Sequence, residues 1–223
     1  MPKIVLIRHA HSTANAAGVL SGQLPNVHLS KSGQEQAIRL AERLGPLTIA
    51  QVQISPMDRC RETLTPWLEK YGRKVAVISE PNLVEVNYGK WSGRKLATLS
   101  RAKLWRKVQS QPSAVTFPEG ESIAQMQVRA MKPVHDFFAS NLELTIMVSH
   151  GDVIKAIVAS SLGMHLDDFQ RIVVDPASIT VLESNGGAIR ITRLNDSDSS
   201  VREILQSKNK RGHLLGGGKG LTK

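Results

Sequence analysis

Two kinds of hydrophobic pattern alternate along the 223-residue chain. Unbroken apolar runs at about residues 3 to 7 and 144 to 149 (LTIMVS) read as buried strands, the first covered on both faces of a sheet, and KVAVIS at 74 to 79 reads as a further strand. IAQVQIS at 49 to 55 alternates well enough to be another strand. Between the strands, apolar residues recur at helical spacing. Ala37, Leu40, Ala41 and Leu44 lead to a Gly45-Pro46 stop, and Asp58 to Lys70 reads as the next helix. Ser122 and Gln125 form a capping box ahead of Ile123, Met126, Ala130 and Phe137, which predicts a helix that Pro133 should kink. Gly151-Asp152 opens a further helix with Ile154, Ile157 and Val158 on one face and Gly163 as its terminator. SITVLES and AIRITRL flank Asn185-Gly186-Gly187 as a hairpin, and NLVEVNYGKWSG at 82 to 93 reads as loop.

Strands alternating with helices predict an α/β fold: a three-layer α/β/α sandwich with a mostly parallel sheet and its binding site at the carboxyl ends of the strands. The predicted domain covers residues 1–195. Residues 196–223 read as a basic, Gly/Lys-rich flexible tail, NDSDSS at 195 to 200 as a solvated boundary, with little fixed structure expected beyond Gln206.

Apolar residues at 41% and charged residues at 22% exclude general disorder, and the length suffices for a core without disulfides or metal. The net charge of +10 invites a nucleic-acid reading. About half of that excess, however, sits in the tail at Lys208, Lys210, Arg211, Lys219 and Lys223. Elsewhere no basic run is interleaved with aromatics, so small anions fit better than bases. Cys60 is the single cysteine, which removes any disulfide framework and implies a reducing compartment. With no apolar stretch near the ~20 residues of a bilayer span and no signal-peptide pattern, a cytoplasmic location is expected.

Polar residues gather where three strands end. The first delivers Arg8 and His9, the second leads to Arg59 and Arg61 in SPMDRCRET, and the strand at 144 to 149 delivers His150. Two imidazoles beside guanidiniums repel one another unless an anion joins them, and the guanidinium fork suits phosphate oxygens. A neutral imidazole is a competent nucleophile on phosphorus. Glu85, just after the third strand, is the candidate acid for the departing oxygen. At an ordinary pKa near 4.3 only roughly 0.2% of it would be protonated at pH 7, so burial and a neighbouring negative charge would have to raise that fraction.

These residues also carry a family likeness. Arg8-His9-Ala10-His11-Ser12-Thr13-Ala14-Asn15 resembles R-H-G-x-[ST]-x-x-N, and Ser55 to Thr63 resembles S-P-L-x-R-A-x-x-T. Leu83 to Gly93 resembles L-x-E-x-x-x-G-x-W-x-G, and Ser149 to Gly151 is S-H-G. Order and spacing resemble the histidine phosphatase superfamily, which includes phosphoglycerate mutases, over about residues 3 to 195. The branch the chain most resembles is an actinobacterial group of phosphomutases, through YGKWSGRKL, FPEGESIAQMQVRA, VSHGDVIKA and FQRIVVDPAS. The resemblance implies a phosphoglycerate mutase-like fold and His9 as the phosphorylated nucleophile. It further implies that Arg8, Arg59 and His150 complete the phosphate pocket, that Glu85 is the proton donor, and that Asn15, Ser21, Gly22 and Gly151 contact phosphoryl or substrate groups. Ala10 stands where the family has glycine, His11 where Glu or Gln is common, and Cys60 where alanine is usual. LSGQLPNVHLS departs from the G-x-x-D-x-P-L-T form of phosphoglycerate mutases.

The expected activity is phosphoryl transfer on a small phosphomonoester through a phosphohistidine, as a phosphatase, with a phosphomutase as the alternative and a non-catalytic anion-binding protein as the bland reading. No metal or bound cofactor is expected. A bisphosphorylated primer enters only for a mutase. The expected partner is a small phosphorylated metabolite, with no specific nucleic acid, no membrane and at most a second copy of the chain in a homodimer. A zinc site at His9 and His11 lacks further ligands nearby. A Cys60 nucleophile in a C-x5-R loop fails because Pro66 stands where the arginine would be. Trp67, Trp91 and Trp105 read as core or loop anchors, and Arg61 as a helix-surface charge.

Overall fold

The computed structural model describes residues 1–206. Its elements in chain order are β1 (Lys3–Arg8), α1 (Thr13–Ala16), β2 (Val19–Leu20), α2 (Lys31–Leu44), β3 (Gln51–Ile54), α3 (Asp58–Lys70), β4 (Ala76–Ser79), β5 (Arg94–Lys95), α4 (Leu96–Leu99), α5 (Lys103–Ser110), α6 (Ile123–Phe138), β6 (Leu144–Ser149), α7 (Gly151–Ser161), β7 (Ile179–Glu183), β8 (Arg190–Asp196) and α8 (Val201–Gln206). The main sheet has the order β4-β3-β6-β1-β7-β8. Its first four strands are parallel, and β7 and β8 form the antiparallel hairpin at the other side. The small strands β2 and β5 pair with each other.

Alternation along the strands sends side chains to two separate cores. Ile4, Leu6 and Met147 join α6, α7 and the aromatic residues of the 88–117 region on one face. Val5, Ile7, Val52, Ile54, Ile146 and Val148 join α2 and α3 on the other. Both faces are covered, which makes the expected α/β/α sandwich and explains why β1 and β6 read as unbroken apolar runs. Ser30 caps α2 by accepting from the Gly33 N–H at 3.1 Å, and Gly45 ends it at φ +57°. The Ser122/Gln125 capping box of α6 forms as predicted, and Pro133 lies within α6 without ending it. Trp67 and Trp91 are buried.

One boundary differs. The polar NDSDSS segment begins the expected tail at residue 196, yet Arg43 Nη2 donates to Asp196 O at 2.9 Å and to its Oδ1 at 3.0 Å, while that Oδ1 caps the Ser199 N–H at 2.8 Å. Asp196 and Ser199 thus spend polar groups within the protein, while Ser197 and Asp198 stay exposed. The chain then continues into α8, where Val201 and Ile204 are buried in the second core. The remainder of the predicted basic tail, 207–223, lies outside the described residues. Among the described residues no helix is long and apolar enough to cross a membrane.

Candidate active site

The β1–β6 register places Arg8 opposite Ser149, and the His9 N–H donates to Ser149 O at 2.9 Å. The β3–β6 register continues in the same way, with the Ser55 N–H donating to Val148 O at 3.0 Å. Parallel pairing therefore brings the residues that follow three strands to one level of the sheet edge. The His9 and His150 rings meet edge to face with centroids 5.2 Å apart. Arg59, on the first turn of α3, reaches in with Nη2 donating to His150 Nδ1 at 3.1 Å and to Gly22 O at 2.8 Å. Glu85 Oε2 lies 3.9 Å from His150 Nδ1. Residues separated by more than 140 positions thus form one cluster.

The hydrogen bonds determine the tautomers. His9 Nδ1 lies 2.7 Å from Ala10 O, which can only accept, so Nδ1 carries the proton and Nε2 keeps its lone pair. Burial, then the Arg59 charge, lowers the His9 pKa to about 3, and the imidazole is neutral at physiological pH. For His150, Arg59 donates to Nδ1, so the proton sits on Nε2, 2.8 Å from Ser55 Oγ. Burial and Arg59 also hold His150 well below the usual imidazole range. The cluster keeps its positive charge on guanidiniums alone.

Arg59 is almost wholly buried, which is rare for arginine without a counter-charge. Its Nε and Nη1, together with Arg8 Nε, are buried and have no hydrogen-bond partner among the described residues. Arg8 Nη1 is anchored on Val174 O at 2.6 Å. Gly151 starts α7 directly beside this guanidinium, where an added Cβ would lie 3.4 Å from Arg8 Cζ. The start of a helix adds its own preference for an anion.

Burial first, then the Asp152 carboxylate, raises the Glu85 pKa to about 7, against the pull of Arg59 and of the Val86 N–H. About half of it is therefore protonated at neutral pH. Asp152 itself accepts from Tyr88 Oη at 2.8 Å. Asp152→Asn is expected to remove the repelling charge and move the alkaline limb of the kcat/KM profile to lower pH. A limb that stays in place would exclude Asp152 as its cause.

The loop carrying Glu85 is braced from elsewhere. Arg129 of α6 donates to Val84 O at 2.8 Å and Glu85 O at 3.1 Å while pairing with Glu121 at 2.6 Å. Gln23 Nε2 donates to Glu85 O at 2.8 Å. These braces, with Ser55, Thr63, Tyr88 and Asp152, were not singled out by the sequence reading as site residues. Their only signal was position inside quoted motifs. Thr63 Oγ1 accepts from the Ala10 N–H at 2.8 Å and donates to Arg59 O at 2.6 Å, locking the His9 loop to α3.

Gly22 enters the cluster through its carbonyl, at φ +51° with Tyr88 Cδ2 only 2.9 Å from where a Cβ would be, so any side chain there is excluded. Ser21 joins only as its neighbour. Asn15 is exposed, and its Oδ1 is committed to the Ser12 N–H at 3.0 Å in the α1 capping box. No hydrogen bond joins it to the His9 cluster. Arg61 is exposed, as read. Cys60 is buried with Sγ 3.5 Å from His150 Nε2, and burial pushes its thiol up to about 12, so it stays protonated and is no nucleophile.

Residues 4–197 match the family model described as histidine phosphatase superfamily (branch 1). The chain belongs to that superfamily. It is 29% identical over 198 residues to phosphoserine phosphatase 1 of Hydrogenobacter thermophilus, covering 87% of this chain and 92% of that protein. It is 26% identical over 201 residues to the 2,3-bisphosphoglycerate-dependent phosphoglycerate mutase of Thermoplasma acidophilum, covering 90% and 96%. Among solved structures, a mycobacterial glucosyl-3-phosphoglycerate phosphatase in complex with VO3 superposes with a TM-score of 0.76 at 25% identity, over 88% of this chain and 100% of that one. Members of the superfamily are phosphatases or phosphomutases, and this chain is an enzyme of that kind.

Proposed function

We propose that the chain is a phosphatase of small phosphomonoesters that works through a phosphohistidine at His9. The observation that carries this reading is the set of buried, unpartnered guanidinium nitrogens of Arg8 and Arg59 around a neutral imidazole whose Nε2 lone pair is available. A phosphoryl group supplies the acceptors those donors need. In the first half-reaction His9 Nε2 bonds to phosphorus, the ester P–O bond breaks, and the leaving oxygen takes the Glu85 proton. In the second, water attacks phosphorus, Glu85 takes a proton from it, the P–N bond breaks and inorganic phosphate departs. Arg8, Arg59 and the start of α7 hold the equatorial oxygens through both steps. Asn15 and Ser21 belong to the substrate side of the site. The proposal assigns no step to a metal or an organic cofactor.

Hydrolysis is favoured over migration by the phosphatases among the similar proteins and by a substrate loop, Leu20–Ser30, unlike that of phosphoglycerate mutases. A phosphomutase is the second reading, favoured by the mutase among the relatives and by the motifs of the actinobacterial phosphomutase branch, where we place the chain. The lone Cys60 supports a cytoplasmic location. A panel of phosphomonoesters, scored for phosphate release and for phosphate migration on the same preparation, tests the assignment. Release without migration is expected, and migration dominating on any substrate would make it a mutase.

Glu85→Gln separates the acid's role from binding. It is expected to slow alkyl phosphates by about 10² to 10⁴-fold. p-Nitrophenyl phosphate, whose leaving group needs no proton, should lose far less in the first half-reaction, measured by the pre-steady-state burst. Equal losses on both substrates would remove the acid role.

A further inference from the structure

Arg8 is gripped at three points by one short segment of chain. Its N–H donates to Ser178 O at 3.3 Å, its carbonyl accepts from the Ala177 N–H at 3.2 Å, and its Nη1 donates to Val174 O at 2.6 Å. The segment is a tight turn from Asp175 to Ser178, closed by the Ser178 N–H on Asp175 O at 3.0 Å. Pro176 takes its second position, which suits proline, and Ala177 takes its third at φ +59°. A type II turn calls for glycine at that third position, because a Cβ is strained at positive φ. The turn therefore does not hold its own shape.

On its outer side the turn borders an open cleft of about 710 Å³, shared by Pro176 and Ala177 with Arg39 and Arg43 of α2. Hydrogen bonds hold it there. Asn195 meets Asp175 with both ends of its amide: the Asp175 N–H donates to Asn195 Oδ1 at 2.6 Å, and Asn195 Nδ2 donates to Asp175 Oδ2 at 2.7 Å. Arg43 Nη1 adds a longer bond to Ala177 O at 3.4 Å. Asn195 itself stands at φ +53° in a β-bulge. Between the Ile179–Asp196 and Val181–Arg193 pairs, β8 has Leu194 and Asn195 where β7 has only Thr180. Bulges re-aim side chains and recur beside active sites. Positive φ at two non-glycine residues persists only where the surroundings over-determine it.

We propose that Asn195 is a positioning residue for phosphate recognition: from the bulge it clamps the 175–178 turn, and the turn sets the guanidinium of Arg8. The proposal rests on the reading of Arg8 as a phosphate ligand. Asn195 touches neither Arg8 nor any other member of the His9 cluster through its amide, whose bonds both go to Asp175. It acts through the turn.

The chain of contacts is short. Val174 O, one residue before the turn, fixes Arg8 Nη1, and this determines where the buried Arg8 Nε lies, next to Gly151 at the start of α7. Without the Asn195 amide, Ala177 is free to leave its strained conformation. Val174 O and Ser178 O then shift with the turn, and the guanidinium fork loses the fixed orientation that matches it to phosphoryl oxygens.

The test titrates the full chain with inorganic phosphate, followed by NMR so that millimolar dissociation constants are still read. Asn195→Gly deletes the amide and permits φ +53°. It should weaken phosphate binding by about tenfold, the scale of a slightly misplaced ligand group, with an unchanged circular dichroism spectrum. Arg8→Ala should weaken binding by more. The combined variant should bind no more weakly than Arg8→Ala alone, because a residue that acts only through Arg8 has nothing left to position. Adding Ala177→Gly to Asn195→Gly should recover part of the loss, since glycine removes the strain that the clamp opposes. Wild-type phosphate affinity in Asn195→Gly, an equal fold-loss from Asn195→Gly with and without Arg8, or no recovery with Ala177→Gly would each overturn the proposal. Arg8→Ala with wild-type phosphate affinity would overturn the reading of the pocket itself, and the proposal falls with it.

Discussion

His9→Ala is expected to lower kcat for any phosphomonoester by at least about 10⁴-fold, because the covalent route disappears and no other group in the cluster can replace it. His150 is the nearest imidazole, but its Nδ1 lone pair accepts from Arg59 and its Nε2 faces Ser55. Cys60 is buried and protonated. The substitution removes a ring whose hydrogen bond to Ala10 O is local, so binding of inorganic phosphate should survive. Isothermal titration with phosphate, beside the kinetics, checks this. Retained turnover would mean that another residue attacks phosphorus.

Arg59→Ala is expected to reduce kcat/KM by about 10³-fold and to weaken phosphate binding together with it. Arg59 contributes two unpartnered donors to the cluster and also holds Gly22 O and His150 Nδ1. The loss therefore combines missing charge with a loosened imidazole. Arg59→Lys keeps the charge but supplies a point donor in place of a fork, and it should recover only part of the activity. Full recovery by lysine would show that charge alone matters there. A fold control is needed because two buried acceptors lose their donor, at about 1 to 3 kcal/mol each.

Much of this site was readable from residue order because it grows from regular structure. β1 and β6 are covered on both faces, so they appear as apolar runs, and the polar residues that break those runs are the ones the sheet edge collects. Arg59 follows β3 in the same manner. β4 shows the limit of that signal: KVAVIS has the composition of a buried strand, yet it is an exposed edge, since composition does not record what lies beside a strand. β2 and β5 have two residues each, too few to show a period. Glu85 is legible in the sequence only as a carboxylate just after a strand and inside a family motif. What makes it an acid at neutral pH is burial together with Asp152, and what holds its loop is Arg129 from α6, contacts between segments that no local pattern encodes. α8 was hidden for the opposite reason, because Asp196 looks solvated until Arg43 is seen beside it.

The central claim is covalent: phosphorus leaves the substrate bonded to His9 Nε2. Rapid quench of the enzyme with a ³²P-labelled phosphomonoester in alkali, followed by peptide mapping, tests it most directly. Acid-labile, alkali-stable label on the peptide containing His9, absent from His9→Ala, is the predicted result. Label on another residue, or turnover by wild type with no enzyme-bound label at any quench time, would contradict it.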